Sequence, residues 1–348
     1  MLARHMPLGF GFWHQTAGFD IEQALIPFAA SSSTYGTAFF VGLLNTLLVA
    51  ALGIVLATLL GFLIGIARLS GNFVVARLSA AYVEMFRNIP LLLQLLFWYN
   101  AILRPLPAPR QSLHLPRGAV LNNRGIMLPG PHAAAGSWPM ALALVLAIAL
   151  GAGFLMAARR SRKLTGYARG LGWWGLALAL ALPLATALAF GPPLHVTMPQ
   201  LQGFNYVHGL SIYPELLALL LGLSLYTAAF IAEIVRAGIQ SVARGQREAA
   251  AALGLPPVQI LRWVVVPQAL RVIIPPLTNQ YLNLTKNSTL AVAIGYPDLA
   301  QVFMGTVLNQ TGAAVQIVFI TMGVYLAISL VTALAMNLWN RRMALHER

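Results

Sequence analysis

The chain has 348 residues, of which 59% are hydrophobic and only 9% are charged, and its mean hydropathy is +0.75. Soluble domains carry about 25% charged residues, so this composition indicates an integral membrane protein. The absence of cysteine excludes disulfides, iron–sulfur clusters, thiolate zinc sites and cysteine nucleophiles. We therefore expect an all-α protein that crosses the membrane several times.

Runs of about 20 apolar residues are long enough for a helix to cross the hydrocarbon layer of a membrane. Most of the runs in this chain are nearly free of charge, and two weaker ones contain charged residues or prolines. The seven predicted spans are Val41–Ala67, Ala81–Leu103, Met140–Ala158, Leu171–Phe190, Pro214–Ala232, Val272–Gly295 and Val315–Met336.

The formal net charge of +14 is compatible with nucleic-acid binding, but no nucleic-acid-binding motif is present. When the loop after the first span is placed inside, the alternation of spans puts most basic residues on the cytoplasmic side. They include Arg68, the turn 159–163 and Arg341. This distribution follows the positive-inside rule, so we expect a cytoplasmic C-terminus and no nucleic-acid partner.

Seven spans with an inside C-terminus place the N-terminus outside, although residues 1–35 contain no signal peptide. We expect a further helix ahead of this start. Along the chain we predict five segments with distinct roles. They are an outer segment 1–40, two helices in 41–104, an insertion 105–212 with two outer loops, the first of them irregular, and two plain helices, a core 213–342 containing a cytoplasmic loop 243–268, and a cytoplasmic tail 343–348.

The cytoplasmic loop begins with a stretch of strong helix formers that ends at Gly254. A glycine at this place favours a left-handed residue that closes the helix, and Pro256 or Pro257 suits the first turn of the next helix. Pro267 limits how far that second helix continues undisturbed. The loop is therefore predicted to be a short helix, a turn and a helix, which together form a protruding docking site.

This loop resembles the EAA loop of binding-protein-dependent ABC importer permeases. The resemblance implies the ABC importer permease fold, with a coupling helix that docks on a separate ATP-binding subunit. ATP and Mg would be bound by that partner, so this chain would be a transport subunit without a cofactor and not an enzyme. The residues that match the family pattern are Glu248, Ala249, Ala250, Gly254, Val264, Val266 and Pro267.

Two further stretches, Tyr82–Pro90 and Leu282–Gly295, are similar to the polar amino-acid permeases and most similar to the general L-amino-acid permeases. The resemblance implies an amino-acid importer in a bacterial inner membrane, with a second homologous or identical permease and a periplasmic amino-acid-binding protein as partners. Larger members of this family also carry an N-terminal helix, in agreement with the helix expected ahead of residue 1.

Charged residues inside spans need a partner or a cavity. Glu84 with Arg87 and Glu233 with Arg236 are each spaced three residues apart, so each pair lies on one helical face. Each pair either neutralises itself near the cytoplasmic end of its helix or forms an inner gate beside the substrate path, where we also place Asn88.

The sixth predicted span carries a polar stripe that contains Asn279, Gln280 and Asn283. Such a stripe in a lipid-buried helix predicts either a translocation pathway or hydrogen bonds between helices. Lys286 is placed to meet a substrate carboxylate or one of the acidic residues. The residues assigned to the path or gate on this helix are Asn283, Lys286, Asn287 and Ser288.

The sequence contains no phosphate-binding Gly-x-x-x-x-Gly-Lys-Ser/Thr loop, no His-Glu-x-x-His helix and no Gly-x-Ser-x-Gly elbow. We therefore predict no catalytic residue and no metal site, and we expect the scattered histidines to be solvated. An ion-driven secondary transporter and a membrane enzyme are the alternatives. The first would need buried carboxylates near mid-membrane, and the second lacks a catalytic constellation.

Overall fold

A computed structural model describes residues 9–133, 137–165, 171–191 and 194–343. Of the predicted tail, only Met343 lies within these residues. The chain forms two compact units. We call the described residues up to Pro105, together with those from Tyr213 onward, the core unit, and Leu106–Ile212 the inserted unit.

The core unit is mostly helical. Its α-helices are α1 (Tyr35–Ala67), α2 (Phe73–Asn88), α3 (Leu91–Leu96), α6 (Pro214–Gln240), α7 (Arg244–Ala252), α8 (Pro257–Gln259), α9 (Val266–Asn287), α10 (Leu308–Thr311) and α11 (Ala314–Met343), with α4 and α5 in the inserted unit. Shorter 3-10 or π segments occupy Gly11–His14, Phe97–Leu103, Ile260–Val265, Ser288–Ile294 and Ala300–Val307.

Side chains define where the first two helices begin. The hydroxyl of Thr34 accepts a hydrogen bond of 3.2 Å from the Thr37 backbone N–H at the start of α1. Asn72 Oδ1 accepts one of 2.9 Å from the Val74 N–H at the start of α2. Each cap satisfies a backbone donor that has no partner within its helix.

The second predicted span, Ala81–Leu103, is two helices and not one. Pro90 has no N–H and forces the preceding residue out of the α region, and Ile89 is accordingly extended, with φ −93° and ψ 126°. Gln94 compensates for the break, because its Nε2 donates to the Phe86 and Ile89 carbonyl oxygens at 3.0 and 2.9 Å. The apolar helix beyond the break covers only Leu91–Leu103.

Six helices in the described residues are long and apolar enough to cross a membrane. The prediction of seven spans differs from this number because the helix after Pro90 is short. The six are Tyr35–Ala67, Ser137–Ala158, Trp173–Phe190, Pro214–Gln240, Pro257–Ile294 and Ala314–Asn340.

The N-terminal segment folds onto one end of α1 and onto the helical segment after residue 299. Phe12 is buried there, and the Trp13 ring lies 5.1 Å from Phe39 and 6.1 Å from Phe303. Gly36 is needed beside this aromatic cluster, because a Cβ at that position would lie 2.5 Å from the Trp13 indole nitrogen.

The inserted unit combines two apolar helices with short antiparallel strands. The segment 104–138, predicted to be an irregular outer loop, therefore contains short strands. Residues Ile126–Leu128 pair with Leu210–Ile212, and Gly130–Ala133 pair with Leu194–Thr197, which brings the two flanks of the helices together in nested pairs. The elements are β1 (Leu113–His114), β2 (Val120–Asn122), β3 (Gly125–Leu128), β4 (Gly130–Ala133), α4 (Ser137–Thr165), α5 (Leu171–Phe190), β5 (Leu194–Thr197), β6 (Gln200–Gln202), β7 (Asn205–Val207), β8 (Leu210–Ile212) and the 3-10 turns Pro109–Gln111 and Pro116–Gly118.

Candidate functional site: an exposed loop and a polar groove

The loop between α6 and α9 has the predicted helix, turn and helix. Gly254 follows α7 with a φ of +79°, in the left-handed region. Its N–H donates to the Ala251 carbonyl oxygen at 2.9 Å, and the Leu255 N–H donates to the Ala250 carbonyl oxygen at 3.3 Å. This pair of bonds is a Schellman motif, so the prediction that Gly254 closes the helix is confirmed.

The second helix of the loop begins at Pro257, in the first-turn position that tolerates proline. It does not end near Pro267. The chain passes through the π segment Ile260–Val265 into α9 and remains helical to Ile294. The second helix of the loop and the sixth predicted span therefore form one continuous helical stretch, Pro257–Ile294. The π segment lies just before Pro267.

Large apolar side chains are exposed at the tip of the loop. Leu253 is 83% exposed, Val258 75% and Trp263 59%. Glu248 and Ala249 are also exposed, whereas Ala250 is buried. Arg247 fixes α7 to the end of α6, because its Nη2 donates to the Ile239 carbonyl oxygen at 2.9 Å. An exposed apolar tip on a rigid turn is the form of a protein-docking surface.

Glu233 is the centre of an ionic cluster at the end of α6. It pairs with Arg236 on its own helix, as the spacing predicted, and also with Arg68 at the end of α1. Arg236 further donates to Gln240 Oε1 at 2.6 Å. The contact between Arg68 and Glu233 could not be predicted from local spacing, because the two residues belong to different helices.

The other predicted pair is not formed. In the part of the chain that the structure describes, Glu84 and Arg87 make no ion pair, and both are exposed, as is Asn88. The Arg87 guanidinium instead lies over the Phe230 ring of α6, 5.1 Å from its centroid. A cation–π contact with the neighbouring helix therefore replaces the predicted contact within α2.

Polar and aromatic side chains from α6 and α9 line an open groove of about 220 Å³. Asn283 and Asn287 are the predicted path residues that reach it, and Arg87 approaches it through Phe230. The α6 residues were missed by the sequence reading, although they follow an i, i+4 spacing in the middle of a span. The lining consists of Tyr226, Thr227, Phe230, Gln280, Asn283 and Asn287.

Two predicted path residues lie elsewhere. Ser288 is completely buried, and its hydroxyl donates to the Thr285 carbonyl oxygen at 2.8 Å, so it does not reach the groove. It lies four residues after the buried Leu284 and seven after the buried Tyr281, and therefore continues the buried face of α9. Lys286 is exposed and is not part of the groove lining.

Asp298 is a buried carboxylate that the sequence reading overlooked. It is completely buried, and it accepts hydrogen bonds from the Gln301 N–H at 2.8 Å and the Tyr325 hydroxyl at 3.0 Å. Burial raises the pKa of this carboxyl to about 6, although hydrogen bonds from Gln301, Tyr325 and Ala300 act in the opposite direction. Its contacts hold the segment after Ile294 in place.

Within the described residues, no group of three or more His, Asp or Glu side chains could hold a metal ion. The site thus consists of an exposed apolar loop tip and a polar groove between α6 and α9.

Comparison with known proteins identifies this combination. The family model for the binding-protein-dependent transport system inner membrane component matches residues 57–345. The chain is 53% identical over 347 residues to YhdX of Escherichia coli (strain K12), a provisional amino-acid ABC transporter permease, covering 99% of this chain and 88% of YhdX.

It is also 52% identical over 340 residues to AapQ of Rhizobium johnstonii, a general L-amino acid transport system permease, covering 98% of this chain and 84% of AapQ. The fold is similar to the crystal structure of an amino acid ABC transporter with histidines, with a TM-score of 0.53 and 22% identity over 88% of this chain and 95% of that one.

Proposed function

This chain belongs to the family of binding-protein-dependent transport system inner membrane components, and we propose that it imports amino acids as the permease subunit of an ATP-driven transporter. The family is one of transport subunits, and ATP hydrolysis is carried by a separate partner. The amino-acid substrate is supported by the names of YhdX and AapQ.

We further propose that the partners are an ATP-binding subunit carrying ATP and Mg, a second permease that is homologous or identical, and a periplasmic amino-acid-binding protein. The location is a bacterial inner membrane, with the C-terminus in the cytoplasm. The charge distribution supports this orientation, because basic residues concentrate on one side of the predicted spans.

The observation that carries the coupling role is the exposed apolar tip of the EAA loop. Leu253 and Val258 project from a turn fixed by the Schellman motif at Gly254, and Arg247 attaches this turn to α6. A cleft in the ATPase that buries these side chains would remove exposed apolar surface from water. Movement of the ATPase would then act directly on the continuous helix Pro257–Ile294.

The substrate role is assigned to the groove between α6 and α9. Its amide and hydroxyl groups can hydrogen-bond both ends of a zwitterion, and the Arg87 guanidinium beside Phe230 favours a carboxylate. Asn283 and Asn287 are the central residues of this proposal. Glu84, Asn88 and Lys286 do not line the groove and remain predicted path or gate residues.

Docking is tested by co-purification of the tagged permease with its ATPase in detergent. We expect L253E to lose most of the ATPase, because a buried unpaired carboxylate is costly. The matched control is L113E, at a half-exposed leucine of the inserted unit, which should retain the ATPase. Equal recovery of ATPase with both variants contradicts the docking role of the tip.

Transport is tested by uptake of labelled amino acids into proteoliposomes that hold the whole importer and ATP. We expect uptake by the natural chain and a reduced rate for N283L. The control N279L changes an exposed asparagine of the same helix that does not line the groove. Uptake that is equally reduced by both variants contradicts the assignment of the groove.

A further inference from the structure

Arg68 connects two helices through a shared carboxylate. It is the C-cap residue that follows α1. Its Nη1 pairs with Glu233 Oε2, while Glu233 Oε1 pairs with Arg236. The Arg68 side chain is 15% exposed and that of Glu233 28%. One carboxylate therefore lies between two guanidinium groups, one from each helix, in a partly buried place where an unpaired charge is less favourable than in open solvent.

The helices are also in close backbone contact just before this cluster. A Cβ at Gly61 would lie 2.5 Å from Ile231 Cβ, and one at Gly65 would lie 2.7 Å from the Ala232 carbonyl oxygen. Two glycines four residues apart permit such an approach of membrane helices. Sliding of α1 along α6 is obstructed here by backbone atoms as well as by the ion pairs.

The same end of α6 is attached to the EAA loop. Besides the bond from Arg247 to the Ile239 carbonyl oxygen, Gly238 lies against α9, where a Cβ would be 2.4 Å from Ile273 Cγ1. The end of α6 that follows Glu233 is thus in contact with α7 of the loop and with α9, which continues the second helix of the loop.

The other part of α1 holds the segment that follows the continuous helix. Asn45 Nδ2 donates to the Gln23 and Pro297 carbonyl oxygens, and the Leu299 N–H donates to the Thr46 hydroxyl at 3.0 Å. Gly42 allows this approach, since a Cβ there would lie 3.0 Å from Leu299 Cα. Helix α1 therefore has fixed contacts at both ends.

We propose that Arg68 is a positioning residue for transport, which locks α1 to α6 so that movement of the EAA loop reaches residues 296–299 through α1. The locked pair moves as one body, and Arg68 stays paired with Glu233 throughout the transport cycle. This inference rests on the proposed function, because it requires an ATPase that acts on the loop.

The experiment uses the complete importer in proteoliposomes, with its ATPase and binding protein. For R68Q we expect normal co-purification of the ATPase and normal basal ATP hydrolysis. Substrate-stimulated hydrolysis and uptake should fall at least about fivefold, because the coupling between the substrate path and the ATPase would be lost. The control R77Q, at an exposed arginine of α2, should behave like the natural chain. The double variant R68E/E233R exchanges the two charges between α1 and α6, so that one carboxylate again faces guanidinium groups. It should restore the substrate-stimulated hydrolysis.

A cross-linking arm decides the case in which R68Q fails to assemble. The natural chain has no cysteine, so R68C/E233C can be joined selectively by a short bis-thiosulfonate reagent. We expect uptake to be recovered when the two positions are joined and lost again on reduction.

Lower uptake in the joined protein would overturn the proposal, because it would mean that the contact must open during transport. Identical behaviour of R68Q and R77Q would overturn it as well. Absence of stimulated hydrolysis in the natural importer would instead contradict the proposed function itself, so the two failures are distinguishable.

Discussion

Asn45 and Pro297 are joined by a hydrogen bond of 2.9 Å from the Asn45 Nδ2 to the Pro297 carbonyl oxygen. The second N–H of the same amide donates to the Gln23 carbonyl oxygen at 2.7 Å. One completely buried side chain therefore connects the N-terminal segment, α1 and the loop after the continuous helix. The amide thus acts together with the Leu299–Thr46 hydrogen bond and the Trp13 ring contacts to hold these three parts against one another.

Asn45→Leu should destabilise the core unit by about 1–3 kcal/mol, because two partly buried hydrogen bonds worth about 0.5–1.5 kcal/mol each are lost. The measurement is the midpoint of thermal unfolding in detergent. Asn279→Leu is the matched control, since Asn279 is exposed. Equal midpoints for the two variants would show that the amide does not support the fold.

Gly254→Ala should strain the turn of the EAA loop by about 1–2 kcal/mol, the cost of a left-handed conformation for a residue with a Cβ. We expect weaker binding of the ATPase, measured as the dissociation constant of the detergent complex. Gly254→Asn should be milder, because asparagine tolerates this conformation. Gly245→Ala is the control, as its Cβ would enter open space within α7. Equal weakening by both alanine variants would contradict this account.

Gly65→Ala should lower the unfolding midpoint, since its Cβ would lie 2.7 Å from the Ala232 carbonyl oxygen and overpacking costs about 1–3 kcal/mol. The comparison is Gly71→Ala, where no atom lies within 4 Å of the added Cβ. If the two variants unfold at the same temperature, α1 and α6 do not cross as closely as described.

Stability should fall as the pH rises from about 4 to about 6 through the titration of Asp298. Burial raises its pKa in the folded protein to about 6, above the ordinary value of about 3.9 in the unfolded chain. Between these values the folded state holds a proton that the unfolded state has lost, so the free energy of unfolding decreases with pH.

The decrease due to this one group is about 2–3 kcal/mol. Asp298→Asn should remove it, so the difference in unfolding midpoint between the variant and the natural chain should change between pH 4 and pH 7. A constant difference over this range would contradict the assignment. Asp20→Asn, at a carboxylate in the N-terminal segment that is not completely buried, is the control for a general effect of removing a carboxylate.

The features that could be read from the sequence are those set by neighbouring residues. Gly254 closes α7 because the helix formers before it and the prolines after it act locally, and Glu233 pairs with Arg236 because they are three residues apart on one helix. The polar stripe of α9 is a matter of periodicity, and Asn283 and Asn287 do reach a groove.

The failures come from contacts between segments distant in the sequence. Arg87 turns from Glu84 to Phe230. In the inserted unit, β3 pairs with β8 and β4 with β5, which joins residues more than 60 positions apart, such as Gly130 and Thr197, and short strands carry little signal of their own.

By itself the sequence determined that this protein crosses the membrane and where the loop after α6 turns, because hydropathy and glycine conformation act over short stretches. Only the tertiary structure decided that Arg68 shares Glu233 with Arg236, that Asn45 holds two distant carbonyl oxygens and that Asp298 is buried. In these cases the contacts of a side chain depend on which helices pack together. Residues that are distant in the chain become neighbours only through that packing.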